Sequence, residues 1–341
     1  MRGLPFTKFS PVGLDVGSHS FKAVQLVKSL RKWEVASSVS LPRLTPGAPL
    51  AVAELRRLKE VLDRRGFAGS DIVVAVPSAS LLTAILELPA RAPGLPMEQI
   101  ASDEFARVHK HAAAQLTMSA WELPAPARAS KATYMLAVGA VSAELESHID
   151  LIEAENFNVL AMEEPYSASA RGCLYAAGPA SGLTAVIDLG WDAATLAIVS
   201  GNTVIYTRKL GEAGLARLLA AAVEAAGGEA EIVEREIWGV GFSGPSQADF
   251  ENAEVLDVLE SHVAGMLREI SQAFGYAAHQ YPELALSRVI LIGGGAAIPQ
   301  IAQRFQSQLN VPVSVAACPD QRTPASMISA LGLALSQEVA R

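Results

Sequence analysis

The chain has few cysteines, few charges and few aromatic side chains. Of its 341 residues two are cysteine, 18% are charged and 6% are aromatic, and the formal net charge at pH 7 is -8. Cys173 and Cys318 stand neither in a CxxC pair nor at ligand spacing from a histidine, which argues against a cysteine-based metal site and fits a reducing cytoplasm. The acidic balance and the lack of an arginine-rich helix argue against a nucleic-acid partner.

The chain also lacks a long hydrophobic run. Asp188 and Arg208 interrupt its most apolar region, so no stretch reaches the length of a membrane span. The first ten residues contain Arg2 and Lys8 but too short an apolar core for a signal peptide. Half of the residues are hydrophobic, and 341 residues are long for one core, so we expect two or more lobes. The sequence predicts a soluble cytoplasmic protein whose N-terminal tail could touch a surface.

The most informative stretch is GLDVGSHSFK at residues 13–22. Asp15 ends a predicted strand, and Gly17 opens a tight turn in which glycine can adopt positive φ without steric cost. Such a turn can direct its N–H groups, Ser18 and Lys22 at an anionic group. Taken alone, the segment is more typical of an ordinary hairpin turn.

The same pattern recurs in the second half of the chain. Asp188 ends another apolar strand, Gly190 follows in the turn, and two strands and a helix come next, as in the first copy. Such self-similarity indicates a duplicated domain. A further buried strand leads into Gly293, Gly294 and Gly295, where a base or ribose can approach the backbone closely.

Residues 78–157 have a different character. They predict a strand at 81–88, a helix at 97–115, a strand at 133–138 and a helix at 142–156, separated by proline-rich breaks. We expect this unit to be an inserted subdomain. His109 and His111 are two positions apart and do not share a helical face, so both are expected to face solvent rather than bind a metal.

Two Asp-x-Gly hairpins in duplicated lobes can face each other across a cleft and bind a nucleotide. Hairpin amides and Ser18 would hold phosphates, and Lys22 would neutralise their charge. Asp15 and Asp188 could hold a hydrated Mg²⁺, which keeps several waters and needs few carboxylates.

This three-part pattern resembles the superfamily of actin, heat-shock chaperones and sugar kinases. The resemblance implies phosphate-binding roles for the two hairpins and an adenosine-binding role for the glycine turn. The matching residues are Asp15, Gly17, Ser18 and Lys22 in the first loop, Asp188, Gly190 and Thr195 in the second, and Gly293, Gly294 and Gly295 through Pro299 in the third.

The resemblance also implies positions for catalytic groups. Glu164 with Pro165 resembles the segment that places a group near the attacking water in the superfamily, Glu163 is an equal match, and Asp188 would act beside them. Trp191, however, follows Gly190 where relatives carry a small residue, and Asp192 adds negative charge. The indole could either exclude a γ-phosphate or pack outward. ATP hydrolysis is therefore expected to be weak or absent.

Within the superfamily, the chain is similar to the type IV pilus assembly protein PilM family, which is related to the cell-division protein FtsA. The similarity extends from about Pro11 to Leu335 and lies in LDVGSHSFKAVQL, IVVAVPSASLLTAILELP, VIDLGWDAATLAIVSGNTVIYTRKLG and VILIGGGAAIPQIAQRFQSQLNVPV. It implies an α/β fold of duplicated actin-like (ribonuclease H-like) lobes around a nucleotide cleft, with an inserted α+β subdomain of FtsA/PilM type, called 1C. The implied ranges are 10–77, 158–181 and 316–341 for lobe 1A, 78–157 for subdomain 1C, and 182–315 for lobe 2A/2B.

The family resemblance implies a scaffold that binds ATP or ADP with Mg²⁺ in the cytoplasm, beside the inner membrane. Its partner would be the N-terminal peptide of an inner-membrane pilus or secretion assembly protein, held as an added strand or in apolar pockets. The groove would lie between the first lobe and subdomain 1C, with walls from strand 81–88, the helix from Met97 and strand 133–138. Self-association stays open, as do two other functions, a sugar or small-acid kinase and a filament-forming bacterial actin homologue.

Overall fold

The computed structural model describes residues 8–29, 32–125, 132–243 and 253–336. They divide into two compact units, the first comprising the described residues up to Gly172 and from Ser329, the second Cys173–Ile328. Within the described ranges, no helix is both long and apolar enough to cross a membrane. The prediction for the N-terminal tail falls mostly outside the described residues, and the predicted ranges of lobes 1A and 2A/2B and of subdomain 1C stay a prediction.

Strands and helices alternate in the order expected of a duplicated α/β protein. The strands are β1 (Val12–Val16), β2 (Ser20–Ser29), β3 (Lys32–Pro42), β4 (Asp71–Ala75), β5 (Leu82–Leu88), β6 (Leu116–Glu122), β7 (Thr133–Val141), β8 (Asn158–Glu163), β9 (Leu183–Leu189), β10 (Ala194–Ser200), β11 (Thr203–Leu210), β12 (Leu286–Ile292) and β13 (Val313–Val315). The helices are α1 (Val52–Arg64), α2 (Met97–His109), α3 (Ser142–Glu153), α4 (Pro165–Ala177), α5 (Leu215–Ala226), α6 (Ala230–Arg235), α7 (Ala253–Gln280), α8 (Ile301–Gln306) and α9 (Ile328–Ala334).

The first unit is built on a five-stranded sheet in the order β3-β2-β1-β4-β8. β1, β2 and β3 are antiparallel neighbours, whereas β4 pairs parallel with β1 and with β8. The spacing of Leu55, Leu58, Val61 and Leu62 predicts a helix over residues 50–65 with one apolar stripe. The structure confirms it as α1, in which Leu55, Leu58 and Leu62 are buried against the sheet. The chain leaves this helix at Gly66, whose φ is +78°.

The inserted subdomain is a three-stranded antiparallel sheet in the order β5-β7-β6, with α2 packed on one face. The prediction of a helix to residue 115 was wrong, because α2 ends at His109 and Lys110 adopts a left-handed conformation with φ +59°. Residues 116–122 instead form β6, which the sequence prediction missed. Their exposure alternates along the strand, and Leu116 packs toward the core between exposed neighbours.

The two histidines on α2 differ in their surroundings. His111 is exposed, as predicted. His109 is not solvent-facing, because its ring packs edge-on against Phe105 with 4.5 Å between centroids. Burial, followed by the neighbouring His111 charge, lowers the pKa of His109 below its usual value.

The second unit repeats the sheet of the first. Its order is β11-β10-β9-β12-β13, with β9, β10 and β11 antiparallel and β12 parallel to both β9 and β13. A helix again follows the third strand, here α5, and it packs on α7. Val255, Leu259 and Val263 are buried at four-residue spacing along α7. The duplication predicted from the two Asp-x-Gly turns is therefore confirmed at the level of strand order.

Candidate functional site

In the first unit the predicted phosphate loop is the turn between β1 and β2. Asp15 and Lys22 are direct cross-strand neighbours. Lys22 Nζ donates to Asp15 Oδ2 at 3.0 Å, and the two side chains are 17% and 21% exposed. The structure thus brings these two predicted residues together as a half-buried ion pair at the end of the hairpin, with Ser18 in the turn between them.

Gly17 is required in this turn, although not for the predicted reason. Gly17 does not have a positive φ. A Cβ at this position would lie 2.9 Å from the Ser20 carbonyl oxygen and 3.1 Å from Lys22 Nζ. The Gly17 N–H also donates to the Ser20 carbonyl at 3.2 Å. Glycine is therefore needed because the turn folds tightly over this residue, since a Cβ that close to backbone would force a shift.

Sequence reasoning missed a buried ion pair next to the turn. The Nε and Nη2 atoms of Arg43 each donate at 2.8 Å to the carboxylate of Glu54, and both side chains are 4% exposed. Arg43 Nη1 also donates to the Gly17 carbonyl at 3.3 Å, and the guanidinium lies 5.3 Å from the centre of the Phe21 ring. The hydrogen bonds from Arg43 hold the pKa of Glu54 below its usual value. Arg43 thus connects the hairpin turn to the first turn of α1.

In the second unit, Asp188 lies against the glycine turn. It is the register partner of Thr195 on β10 and of Ile292 on β12. Gly293 follows with φ +86°, and a Cβ there would fall 2.1 Å from Asp188 Oδ1. The carboxylate therefore packs directly on the backbone of Gly293, and any side chain would displace it. The structure brings Asp188, Thr195 and Gly293 together. Their role in a nucleotide site stays a prediction.

The three glycines are not equivalent. A Cβ on Gly295 would lie 2.7 Å from the Cβ of Leu189. A Cβ on Gly294 would meet nothing nearer than Leu215 Cδ1 at 3.6 Å, which is an ordinary contact. Close packing thus requires glycine at 293 and 295 but not at 294.

The predicted second phosphate loop is fixed by α5. The Leu215 N–H donates to the Gly190 carbonyl at 3.1 Å, and the Ala216 N–H donates to the Trp191 carbonyl at 2.9 Å. Gly214 allows this contact, because a Cβ there would lie 2.3 Å from the Asp192 carbonyl oxygen. The loop carbonyls therefore satisfy N–H groups in the first turn of α5 that otherwise lack partners. The Trp191 side chain is half-buried.

The two candidate catalytic glutamates of the first unit already have structural partners. Glu164 accepts hydrogen bonds from the N–H groups of Tyr166 at 2.6 Å and Ser167 at 2.8 Å, so it caps α4. It is 8% exposed, and burial raises its pKa to about 7. Glu163 is ion-paired with Arg171, whose Nε also donates to the Gly332 carbonyl at 2.8 Å. A catalytic role for Asp188, Glu163 or Glu164 stays a prediction.

Asp15 belongs to the first unit and Asp188 to the second. Among the residues that the structure describes, no group of three or more histidine, cysteine, aspartate or glutamate side chains is arranged to hold a metal ion. The predicted Mg²⁺ ligands are only two carboxylates, acting mainly through water, and that assignment stays a prediction.

A cavity of about 210 Å³ lies between the first sheet and the inserted subdomain, both within the first unit. Strand β6, at the edge of the subdomain sheet, forms much of one wall, and Glu163 and Glu164 form part of the other. Helix α2 does not line this cavity, whereas Leu145 of α3 does. The position of the peptide groove stays a prediction. The lining residues are Val76, Leu81, Thr117, Met118, Ser119, Trp121, Val138, Gly139, Ala140, Leu145, Met162, Glu163, Glu164 and Ser167.

The same sheet order in both units, with loop glycines and acids at equivalent turns, defines the class of protein. The chain has the actin-like fold of duplicated lobes with an inserted FtsA/PilM-type subdomain. A family model described as type IV pilus assembly protein PilM matches residues 13–335. The chain therefore belongs to the PilM family.

Solved structures agree with this fold. A chain of a "PilM-PilN type IV pilus biogenesis complex" is 15% identical, with a TM-score of 0.74 over 96% of this chain and 98% of that one. The ethanolamine utilization protein EutJ from Carboxydothermus hydrogenoformans is 15% identical, with a TM-score of 0.55 over 97% and 90%. MreB5 of Spiroplasma citri bound to ADP is 11% identical, with a TM-score of 0.55 over 96% of each chain. A search of curated proteins by sequence found no match.

Proposed function

We propose that this chain is a cytoplasmic scaffold of a type IV pilus or related secretion machine. Its partner is the N-terminal tail of an inner-membrane assembly protein. Membership of the PilM family supports this proposal, as does the similarity over nearly the whole chain to a structure described as a PilM-PilN complex. A protein of the PilN kind is therefore the first candidate partner.

The cavity beside β6 supports this role best. Its lining combines apolar side chains, such as Leu81 and Leu145, with the hydroxyl groups of Ser119 and Ser167. β6 is an edge strand among the described strands, so its outer N–H and C=O groups can pair with an extended peptide. An added strand gains affinity from the backbone and specificity from side chains that enter pockets.

Filling this cavity tests the proposal. Ser119 is exposed and lines the cavity from β6, so Ser119→Trp would occupy the space without disturbing the core. Ser38→Trp is the matched control, because Ser38 is also an exposed serine on an edge strand, β3, and lies outside the cavity.

The probe is a synthetic peptide with the N-terminal tail of the PilN-type protein from the same organism. Calorimetry should show at least about tenfold weaker binding for Ser119→Trp, equivalent to 1.4 kcal/mol, and unchanged binding for Ser38→Trp. Absence of wild-type binding, or equal binding by Ser119→Trp, would refute the assignment.

We further propose that the scaffold binds ATP or ADP with Mg²⁺. The candidate residues are Asp15, Gly17, Ser18 and Lys22 in the hairpin of the first unit, and Asp188, Gly190, Thr195 and the glycine turn at 293–295 in the second. The packing of the second unit holds the Asp188 carboxylate directly against the Gly293 backbone, so two of the candidate residues are fixed side by side. Bound Mg²⁺ would neutralise phosphate charge, and Asp15 and Asp188 are the candidate carboxylates for it, each acting chiefly through water.

The nucleotide has a structural role in this proposal, with little or no hydrolysis. Glu164 is occupied in capping α4, and Glu163 is paired with Arg171. The two alternative functions, a small-molecule kinase and a filament-forming homologue, have weaker support, because the family match spans residues 13–335. Self-association is a further proposal that the same scaffold role allows.

A further inference from the structure

The first sheet carries lysine and aromatic side chains at the end opposite the Asp15 turn. Residues just before β1 pair with the end of β2, because Phe9 forms a bridge with Val27 and the Lys28 N–H donates to the Lys8 carbonyl at 2.8 Å. On the other side of β2, Lys28 is the register partner of Trp33. Lys8, Lys28 and Trp33 therefore lie in one row across three adjacent segments, spaced about 5 Å apart.

The side chains at this end are accessible and mix charge with aromatic surface. Lys8, Lys28 and Lys32 are exposed. Phe9 is 40% exposed, and Lys28 Nζ lies 5.3 Å from the centre of the Trp33 ring. We call this surface the basic hairpin end; it consists of Lys8, Phe9, Lys28, Lys32 and Trp33.

The charge of this region is opposite to that of the whole chain. Residues 1–33 contain six lysines or arginines and one acid, whereas the chain has 27 lysines and arginines against 35 aspartates and glutamates. Of the six, Lys8, Lys28 and Lys32 belong to the basic hairpin end, and Lys22 pairs with Asp15 at the opposite end. Two acids lie near the basic hairpin end, Glu34 opposite Val27 and Asp71 at the start of β4. Exposed Arg65 follows α1 at that same edge of the sheet, and the nearby Asp63 is paired with Lys59. Lys8, Lys28, Lys32 and Arg65 therefore outnumber Glu34 and Asp71.

We propose that the basic hairpin end docks on an anionic lipid surface. Each lysine close to an anionic membrane strengthens binding by about fivefold. Aromatic side chains add to this because they prefer the membrane–water interface, at the level of the lipid headgroups. β2 has ten residues, so its length separates this surface from the Asp15 turn by about 30 Å. A scaffold held in this way would keep its hairpin turn away from the bilayer. Lipid is favoured over nucleic acid because the net charge of the chain is -8.

Vesicle binding by the full chain tests this proposal without any partner protein. The probes are vesicles of phosphatidylcholine alone and vesicles of phosphatidylcholine mixed with the anionic lipid phosphatidylglycerol. The test variant is K8Q/K28Q/K32Q, and the matched control is R107Q/K110Q/K209Q, which removes three exposed cations elsewhere. The wild type should bind only the anionic vesicles, the test variant about 100-fold more weakly, and the control within about threefold of the wild type. Salt at 1 M, where the Debye length is about 3 Å, should release the wild type.

A second readout does not depend on the folding of the triple variant. Brominated anionic lipid should quench wild-type tryptophan fluorescence, and Trp33→Phe should remove most of that quenching. Equal binding to neutral and anionic vesicles, or equal loss in the two triple variants, would overturn the proposal. Tighter, lysine-dependent binding to a single-stranded DNA oligonucleotide at the same salt would reassign the surface to nucleic acid.

Discussion

Arg43 donates to both oxygens of Glu54 and, at 3.3 Å, to the carbonyl of Gly17. The side chains of Arg43 and Glu54 are each only 4% exposed, so a buried ion pair holds the β1–β2 turn against α1. Removing one partner of a buried pair leaves the other charge uncompensated, and such losses cost about 3 to 5 kcal/mol.

We expect Arg43→Met to lower the free energy of unfolding by about 3 kcal/mol or more, measured by urea denaturation. The control is Arg64→Met, which breaks the exposed pair with Glu60 and should cost less than about 1 kcal/mol. Arg43→Met protein that remains folded should also bind ATP more weakly, because the turn loses its support. Equal effects of the two substitutions would show that the buried pair contributes no more than a surface one.

Glu164 predicts a pH dependence of stability. Its pKa rises from 4.5 to about 7 on folding, so between these values the folded protein holds a proton that the unfolded chain has released. Stability from this group is therefore fully present below pH 4.5 and is lost as the pH rises through 7. Relative to Glu164→Gln, the wild type should lose roughly 2 to 4 kcal/mol between pH 4.5 and pH 8, measured by urea denaturation at each pH. A difference between the two proteins that stays constant with pH would contradict the assigned protonation.

The glycine turn offers a matched pair of substitutions. Gly293→Ala places a Cβ 2.1 Å from Asp188 Oδ1 at φ +86°, so it should destabilise the second unit by about 2 kcal/mol or more and abolish ATP binding. Gly294→Ala meets only an ordinary contact and should change stability by less than about 1 kcal/mol. Thermal unfolding and calorimetry with ATP check both variants. Intact ATP binding in Gly293→Ala would remove this turn from the proposed nucleotide site.

If the hairpin turn binds the phosphates of ATP, substitutions at Asp15 and Lys22 should weaken ATP binding. Lys22→Ala and Asp15→Ala should each weaken ATP binding in calorimetry, by about tenfold or more for the lysine, because a charge-assisted contact to phosphate is lost. Lys59→Ala, at a surface lysine paired with Asp63, is the control and should bind as the wild type does. Unchanged affinity in both hairpin variants would refute the assigned loop.

Hydrolysis is a separate expectation, since Glu163 and Glu164 are engaged in structural contacts. Purified protein should release little phosphate from ATP and Mg²⁺ over hours. Robust Mg²⁺-dependent turnover that Asp188→Ala abolishes would overturn the proposal of a non-catalytic scaffold.

Several features could be predicted from the chain because their signals are local. The positions of the two Asp-x-Gly turns, the leucine stripe of α1 and the apolar strands that lead to Asp188 and Gly293 depend on neighbours within a few residues, and the structure has them where the sequence predicts them. The conformation of Gly17 is the exception, because its φ is not positive. The inserted subdomain was predicted with one strand too few. Three consecutive alanines at 112–114 favour a longer α2, whereas the alternation of residues 116–122 is typical of a half-buried strand.

The sequence by itself thus determined the repeated order of strands and helices, the family and which residues form the two turns. Tertiary structure alone decided why Gly17 and Gly293 must be glycine, how Arg43 and Glu54 meet, and that Glu164 caps a helix in a buried position. The physical reason is distance, because a close approach or a buried charge pair depends on atoms that the fold brings together from separate parts of the chain, and spacing along the chain carries no record of them.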